Sequence, residues 1–556
     1  MLDASLKEQL KELFGSLEAD YLFDIAVRAD HGSRAELLEL LGDTAAASDR
    51  LACRVSEGPG LEFRILKNGQ ELGIRFRAVP NGHEFSSLVL AVLNADGKGR
   101  NLPDEATRRR IEALKGPVEL ETYMSLTCTN CPDVVQALNV LAILNPQIRH
   151  TAIDGALFPE EAERLRIQAV PSVFCNGEPL HTGRSSLGEL LEQLEERIGS
   201  RPAEGATIER RYDVVVAGGG PAGAAAAIYS ARKGLKVAVV AGRVGGQVNE
   251  TVGIENLISV PRTTGAELAG DLRRHMEAYG IELCENRTIE AFEAGEKEHV
   301  LRVRGGEVFR APALIAATGA SWRRLGVPGE AEYTGHGIAF CPHCDGPFYA
   351  GKDVAVIGGG NVSVDVARSA IRLGAKEVTL IYRRGRDELK ADPEEIEDAL
   401  NEGVKLHLLA SPVEIIGKDG AVTALKLEKM KLGAPDASGR RSPVSTGEFE
   451  TMDVDNVIGA IGQIIDWGGI EKGSMQLDRK GCVTVNELSY QTGEPDVFAG
   501  GDVVTGPAFV IHAIAAGKEG AVSIHRYVHP GQTQNLGRDR RIFTSLDKTK
   551  AALAIG

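Results

Sequence analysis

The stretch Cys341-Pro342-His343-Cys344-Asp345-Gly346 crowds two thiols, an imidazole and a carboxylate into five positions. Two cysteines with two residues between them can close a small disulfide ring, and a neighbouring base or helix N-terminus draws a thiol pKa from about 8.5 toward neutrality. Asp345 is placed to exchange the proton that moves whenever such a dithiol is oxidised or reduced. Alone, Cys341 and Cys344 read either as a redox pair or as half of a zinc site. A second pair, Cys128-Thr129-Asn130-Cys131-Pro132, has the same spacing. The 209 residues from 132 to 340 separate the pairs, far beyond a local zinc ribbon, so no metal is expected. His343 has two readings of equal weight: it tunes the thiols, or it only fills the turn.

Two glycine-rich turns bracket places where a nucleotide could feed such a pair. The run Tyr212 to Ala217 leads into Gly218-Gly219-Gly220-Pro221-Ala222-Gly223, an alanine-rich helix and a second strand, Lys236 to Val240. In that order Gly218, Gly220 and Gly223 let the backbone approach a pyrophosphate at a helix N-terminus. The acid that usually contacts the ribose is missing, since Ala241-Gly242-Arg243 stand there. A second fingerprint runs from Val354 to Ser363, with Gly358, Gly360 and Asn361 as candidates and Ser363 replacing the third glycine. After the strand Val378 to Tyr382 come Arg383, Arg384 and Arg386. Arginines there suit a 2′-phosphate, and the alternative is a solvated basic turn. NADPH is the expected nucleotide, with NADH as the other choice. Thr318-Gly319 at one strand end and Asp502 at another, before a helix from Phe509 to Ala521, suit the sugar-alcohol chain and ring of FAD.

At 556 residues the chain is too long for one core, and roughly 100–200 residues per domain gives three or four domains. The 65 glycines fit many strand-to-helix turns. A net charge of −15 argues against nucleic acid or an anionic membrane as partner. No apolar run approaches a membrane span and the N-terminus lacks a signal-peptide layout, so the expected compartment is the cytoplasm. Among the eight cysteines, Cys53, Cys175, Cys284 and Cys482 stand alone and are expected to be ordinary buried residues.

Leu2, Leu6, Leu10, Leu13 and Leu17 form one apolar helical face suited to core packing. Residues 1–100 read as a small α/β unit without a thiol pair. In 101–198 a strand ending Thr122-Tyr123-Met124, a dithiol at a helix N-terminus, Val170-Pro171 before a strand and an amphipathic run from Leu187 to Ile198 make a thioredoxin-like layout. The fold class is therefore α/β: two tandem thioredoxin-like units, then a pair of dinucleotide-binding domains for FAD and NAD(P). The expected boundaries are a linker at 199–211, a first FAD-binding segment at 212–327, the NAD(P) domain with Cys341 and Cys344 at 328–455, a second FAD-binding segment at 456–530 and a tail at 531–556. Thirteen extended linker residues reach about 45 Å, enough for a small domain to swing.

These stretches resemble, over nearly the whole chain, the flavoprotein subunit of alkyl hydroperoxide reductase, itself similar to thioredoxin reductase with a doubled thioredoxin-like extension. The matching pieces are Gly82-His83-Glu84-Phe85, Cys128 to Asn139, His150 to Gly155, Gly218 to Gly234, Gly245-Gly246-Gln247, Ile254 to Pro261 and Cys341 to Pro347. The resemblance implies electron flow from NAD(P)H to FAD, to Cys341/Cys344, to Cys128/Cys131, and on to a disulfide in a partner protein, a peroxiredoxin, with the enzyme a homodimer. It also implies that Gln247 contacts the flavin cofactor, Cys344 faces the flavin and Cys341 is the interchange thiol. By the same resemblance Asp345 donates the proton, Cys128 attacks, Cys131 resolves and Pro171 is cis. Residues 380–398, 447–451, 500–517 and 537–541 are instead similar to the small subunit of glutamate synthase. That mosaic leaves two further readings: reduction of a thioredoxin, a glutaredoxin-like protein or a small disulfide, or a diaphorase-type electron-transfer component docked in a larger complex.

Overall fold

The computed structural model describes residues 2–99, 102–128, 130–167, 169–201, 207–251, 253–334, 336–339, 349–418, 420–435, 441–470, 475–494 and 496–529. The N-terminal region contains α1 (Ala4–Phe14), β1 (Tyr21–Val27), α2 (Arg34–Ala45), β2 (Leu51–Ser56), β3 (Leu61–Lys67), β4 (Gln70–Arg77) and α3 (Phe85–Ala95). It continues with α4 (Glu105–Ala113), β5 (Val118–Met124), α5 (Cys131–Leu144), β6 (Ile148–Asp154), α6 (Pro159–Arg164), β7 (Ser172–Cys175), β8 (Glu178–Thr182) and α7 (Leu187–Ile198). All eight strands share one sheet, in the order β2-β1-β3-β4-β6-β5-β7-β8. Each half repeats the same pairing: its first two strands are parallel, and a closing hairpin runs antiparallel to the first. The halves fuse where β4 pairs with β6 in parallel, Ile74 opposite His150. Alternation along β1 and β3 sends Phe23, Ile25, Phe63 and Ile65 into a sealed core.

Two details depart from expectation. In α1 the buried residues are Leu10 and Phe14, while Leu13 is 44% exposed and Leu17 lies beyond the end of the helix. Cys53 is exposed rather than buried, since it lies on the sheet-edge strand β2 with only Leu51 turned inward; Cys175, Cys284 and Cys482 are buried.

The rest of the chain divides so that 206–321 with 464–556 form one compact unit, and 322–463 belongs with the N-terminal region in the other. In chain order the elements are β9 (Glu209–Arg211), β10 (Val214–Ala217), α8 (Pro221–Ala231), β11 (Val237–Val240), α9 (Gly265–Ala278), β12 (Glu282–Cys284), β13 (Ile289–Glu293), β14 (His299–Val303), β15 (Val308–Ala311), β16 (Ala313–Ala316) and β17 (Ala320–Trp322). Then come α10 (Glu330–Tyr333), β18 (Ile338–Ala339), β19 (Asp353–Ile357), α11 (Asn361–Arg372), β20 (Glu377–Tyr382), α12 (Pro393–Asn401), β21 (Lys405–Leu408), β22 (Ala410–Lys418), β23 (Ala421–Pro435), β24 (Arg441–Asp453), β25 (Asn456–Gly459) and β26 (Gln463–Ile465). Last are β27 (Val497–Ala499), α13 (Asp502–Thr505) and α14 (Val510–Val528), the last longer than the expected helix from Phe509 to Ala521.

Two parallel sheets result, β12-β11-β10-β16-β27 and β18-β25-β19-β20-β21. Their central strands are largely apolar and, apart from Asp353 at the start of β19, buried, as parallel sheets covered by helices require. Within the stretch expected as a linker, residues 209–211 form β9, which pairs with β15, and the Arg201 N–H bonds the Ala113 carbonyl. Three residues paired with a strand about a hundred positions away carry no periodicity of their own, which is why the pattern shows only a linker there.

Candidate functional site

The Cys128/Cys131 pair sits where β5 turns into α5. Cys131 is the first residue of the helix, and its N–H donates to the Cys128 sulfur at 3.2 Å. The Cys128 thiol also lies 3.8 Å from the Val170 carbonyl, just before Pro171, whose peptide bond is cis. The two sulfurs are driven apart in acidity. A hydrogen bond from the Cys131 thiol, helped by the Asn130 and Cys131 amides, pulls the Cys128 pKa down to about 7 against the cost of burial. Burial, then the hydrogen bond it gives Cys128, pushes the Cys131 thiol far up. Cys128 is thus about half thiolate at neutral pH and Cys131 a thiol in reserve.

Glu84 completes this site, and sequence reasoning alone assigns it no role. It ends the turn Gly82–Glu84, which approaches the loop before Cys128 so closely that a Cβ on Gly82 would lie 2.9 Å from the Leu126 carbonyl oxygen. The His83 N–H bonds that same carbonyl at 3.3 Å. Glu84 is fully buried, and burial pushes its carboxyl up to about 8, with Cys128 and Asp133 adding like-charge repulsion. Glu84 in turn helps raise Cys131. The half without thiols therefore gives the dithiol a carboxyl whose proton affinity matches a thiol's. Its signal is the Gly82-His83-Glu84-Phe85 stretch, but only the fused sheet shows what lies next to it.

In the unit built from 206–321 and 464–556, the expected FAD residues converge at the C-terminal edge of the sheet. Gly218 has φ +116, and a Cβ there would lie 2.1 Å from the Ala317 carbonyl oxygen, next to Thr318 and Gly319. Gly223 packs on the Gly218 carbonyl at 2.0 Å from its would-be Cβ, while Gly220, the N-cap of α8, faces open space. A Cβ on Gly246, the residue before Gln247, would lie 3.2 Å from the Gly220 Cα, and Arg243, standing where an acid was expected, holds the Gly246 carbonyl. The Thr318 hydroxyl bonds the Asp466 carbonyl. A Cβ on Gly501, just before Asp502, would lie 2.8 Å from Ala222, and burial raises the Asp502 carboxyl above its usual range. An open helix N-terminus walled by tight glycines fits a dinucleotide pyrophosphate. Gly218, Gly220, Gly223, Gln247, Thr318, Gly319 and Asp502 would hold the flavin nucleotide.

The second fingerprint lines a cavity of about 580 Å³. Gly358, Gly360 and Asn361 form its floor, where a Cβ on Gly358 would strike Ser363 and the Ala460 carbonyl, and Gly360 is open at the N-cap of α11. The Asn361 side-chain oxygen accepts from the Asp392 N–H at 2.9 Å, fixing its rotamer. Arg323, Arg324, Arg383, Arg384 and Lys390 line the walls, and no carboxylate among the described residues does. Arg384 is 7% exposed, with its Nε lacking a partner among the described residues. Five cations without an acid form a receptor for a highly charged anion.

Cys341, His343, Cys344 and Asp345 lie outside the described residues. No helix among the described residues is long and apolar enough to cross a membrane.

The pyridine nucleotide-disulphide oxidoreductase family matches residues 212–517, and a thioredoxin domain matches 118–196. The F subunit of alkyl hydroperoxide reductase from Pseudomonas putida is 40% identical over 540 residues, covering 95% of this chain and 98% of that protein. Its counterpart from Staphylococcus aureus strain MSSA476 is 38% identical over 536 residues, covering 95% and 99%. Among solved structures, thioredoxin reductase of Lactococcus lactis is 28% identical and covers 57% of this chain and 99% of its own, with a TM-score of 0.49. With a family match across the two dinucleotide folds and full-length relatives at this identity, the chain belongs to the family of alkyl hydroperoxide reductase flavoproteins, disulfide reductases that draw on a pyridine nucleotide.

Proposed function

We propose that this chain oxidises NADPH in preference to NADH and passes the electrons through Cys341/Cys344 and Cys128/Cys131 to the disulfide of a peroxiredoxin. The observation that carries the reading is the split acidity of the Cys128/Cys131 pair beside a buried carboxyl, the arrangement needed for a thiolate that attacks and a thiol that resolves. The preference for NADPH is supported by the five cations of the nucleotide cavity, where a 2′-phosphate adds charge that NADH lacks. The peroxiredoxin is supported by the relatives' name, alkyl hydroperoxide reductase.

The Cys128 thiolate attacks one sulfur of the partner disulfide, forming a mixed disulfide and releasing the partner's other thiolate. Cys131 passes its proton to the partner thiolate just released and attacks the Cys128 sulfur, freeing the partner's second thiolate, which takes the proton of the neutral Glu84 carboxyl, and leaving Cys128–Cys131 oxidised. Both released thiolates take up protons, so the partner gains two electrons and two protons. Cys341 then attacks the oxidised pair, Cys344 resolves, and Asp345 supplies the proton that the flavin-side thiol needs. A bound FAD would supply the two-electron chemistry that links the pyridine nucleotide to the dithiol. The same reading puts the enzyme in the cytoplasm, where thiol pairs turn over, and makes it a homodimer, as the family resemblance implies.

A pull-down with Cys131→Ser tests the acceptor, because the mixed disulfide on Cys128 then has no resolving thiol. A dithiothreitol-sensitive one-to-one adduct with a peroxiredoxin is the expected product. Capture of a thioredoxin or glutaredoxin in its place would overturn the choice of partner.

A further inference from the structure

The loop that joins β8 to α7 reaches both walls of the dithiol site. The Gly183 N–H donates to the Pro171 carbonyl at 2.8 Å, and Pro171 follows Val170, whose carbonyl faces the Cys128 thiol. One residue on, a guanidinium nitrogen of Arg184 lies 2.9 Å from a carboxylate oxygen of Asp133. Asp133 is the third residue of α5, two positions after Cys131. Gly183 and Arg184 therefore tie the cis-proline turn to the first turn of the helix that carries the thiols.

The loop is held on its far side as well. The Arg184 carbonyl lies 3.2 Å from His181 Nε2, and His181 Nδ1 lies 3.1 Å from Gln193 Nε2 on α7. Ser186 then caps α7: its hydroxyl accepts from the Glu189 N–H at 3.3 Å, and the Glu189 carboxylate accepts from the Ser186 N–H at 2.8 Å. The Arg184 side chain is 22% exposed and that of Asp133 49%, so the arginine is the inner member of the pair.

An acid at this place has two opposed effects. In the first turn of a helix a carboxylate faces the positive end of the dipole and favours the helix. Beside a sulfur that must ionise it works against the thiolate, and Asp133 raises the proton affinity of both Cys128 and Glu84. A guanidinium held on that carboxylate offsets its charge. Among the described residues, the groups that bear on the dithiol are Cys131 and Asp133 on α5, Glu84 from the turn before α3, and Arg184 through its ion pair.

We propose that Arg184 is a positioning residue for disulfide exchange: by holding the Asp133 carboxylate it offsets the negative charge in the first turn of α5 and keeps the Cys128 sulfur ionised for attack on a partner disulfide. The proposal rests on the relay reading above, in which Cys128 is the attacking thiol.

Variants of the reduced, full-length, flavin-loaded enzyme test it, with alkylation of Cys128 by iodoacetamide followed across pH by peptide mass spectrometry. Arg184→Met should raise the Cys128 midpoint by about 0.5 pH unit, the scale of one partly exposed charge interaction. Asp133→Asn should lower it by about the same amount, and the double variant, with neither charge present, should return to within about 0.2 unit of the wild type. Arg184→Lys, which keeps the charge, should also stay within about 0.2 unit. A pair that only braced the loop would behave differently, because removing either partner breaks the same contact and moves the midpoint the same way. Shifts of one sign from both single variants, or a midpoint that neither moves, would overturn the proposal. Alkylation does not depend on delivery to a partner, so failure of the relay reading would show separately, as a Cys128→Ser enzyme that still reduces a protein disulfide.

Discussion

Replacing Glu84 by Gln keeps the shape of a fully buried side chain and removes its titration. In the wild type the folded carboxyl holds its proton until about pH 8, whereas the unfolded carboxyl releases it near 4.5. Between those values the folded state binds more protons than the unfolded one, so stability falls as pH rises. At 1.36 kcal/mol per tenfold change in proton affinity, the fold loses about 4 kcal/mol from this group between pH 5 and 9, of which about 1.4 falls between pH 7 and 9. Cys128 runs the other way, because its depressed pKa adds stability as pH rises past about 7, but both proteins share that contribution. The difference between their curves therefore isolates Glu84. The eight-stranded sheet lies within residues 2–201, so urea unfolding of a reduced 1–201 fragment followed by circular dichroism reads it directly. Glu84→Gln should gain on the wild type steadily from pH 5 to 9. Curves that stay parallel within about 0.5 kcal/mol would show that Glu84 does not hold a proton near neutrality, and with that its role as proton donor at the Cys128/Cys131 pair would fall.

Other outcomes follow from the same geometry. Alkylation of the reduced enzyme by iodoacetamide should report Cys128 with a midpoint near pH 7, rising as the thiolate forms, while Cys131 stays unmodified, and peptide mass spectrometry separates the two. Gly360→Ala places a methyl group in open cradle space, so melting temperature should hold while NADPH binding weakens; Gly358→Ala drives a methyl into Ser363 and the Ala460 carbonyl and should lower the melting temperature as well. Arg384→Ala should cut kcat/KM for NADPH by roughly ten- to a hundredfold and leave NADH nearly unchanged, the worth of one hydrogen bond between charged groups. Equal losses with both nucleotides would show that Arg384 does not read the 2′-phosphate.

Motifs confined to one strand, turn and helix were legible in the chain. Both glycine cradles, the Cys128/Cys131 pair at a helix start and the arginines after β20 depend on neighbours a few residues away, and spacing alone places them. Glu84 depends on a partner more than forty positions distant, brought near only because β4 pairs with β6 and fuses two sheets into one. No periodicity encodes that pairing. The same holds for β9, three residues that exist as a strand through β15, and for Cys53, whose exposure follows from lying on an edge that tertiary order decides.

The central claim is that electrons leave the enzyme through Cys128, and stopped-flow spectroscopy of Cys128→Ser tests it most directly. With NADPH and an oxidised peroxiredoxin, the flavin of the variant should be reduced at the wild-type rate while reduction of the protein disulfide is abolished. Protein-disulfide reduction at the wild-type rate in that variant would contradict the account.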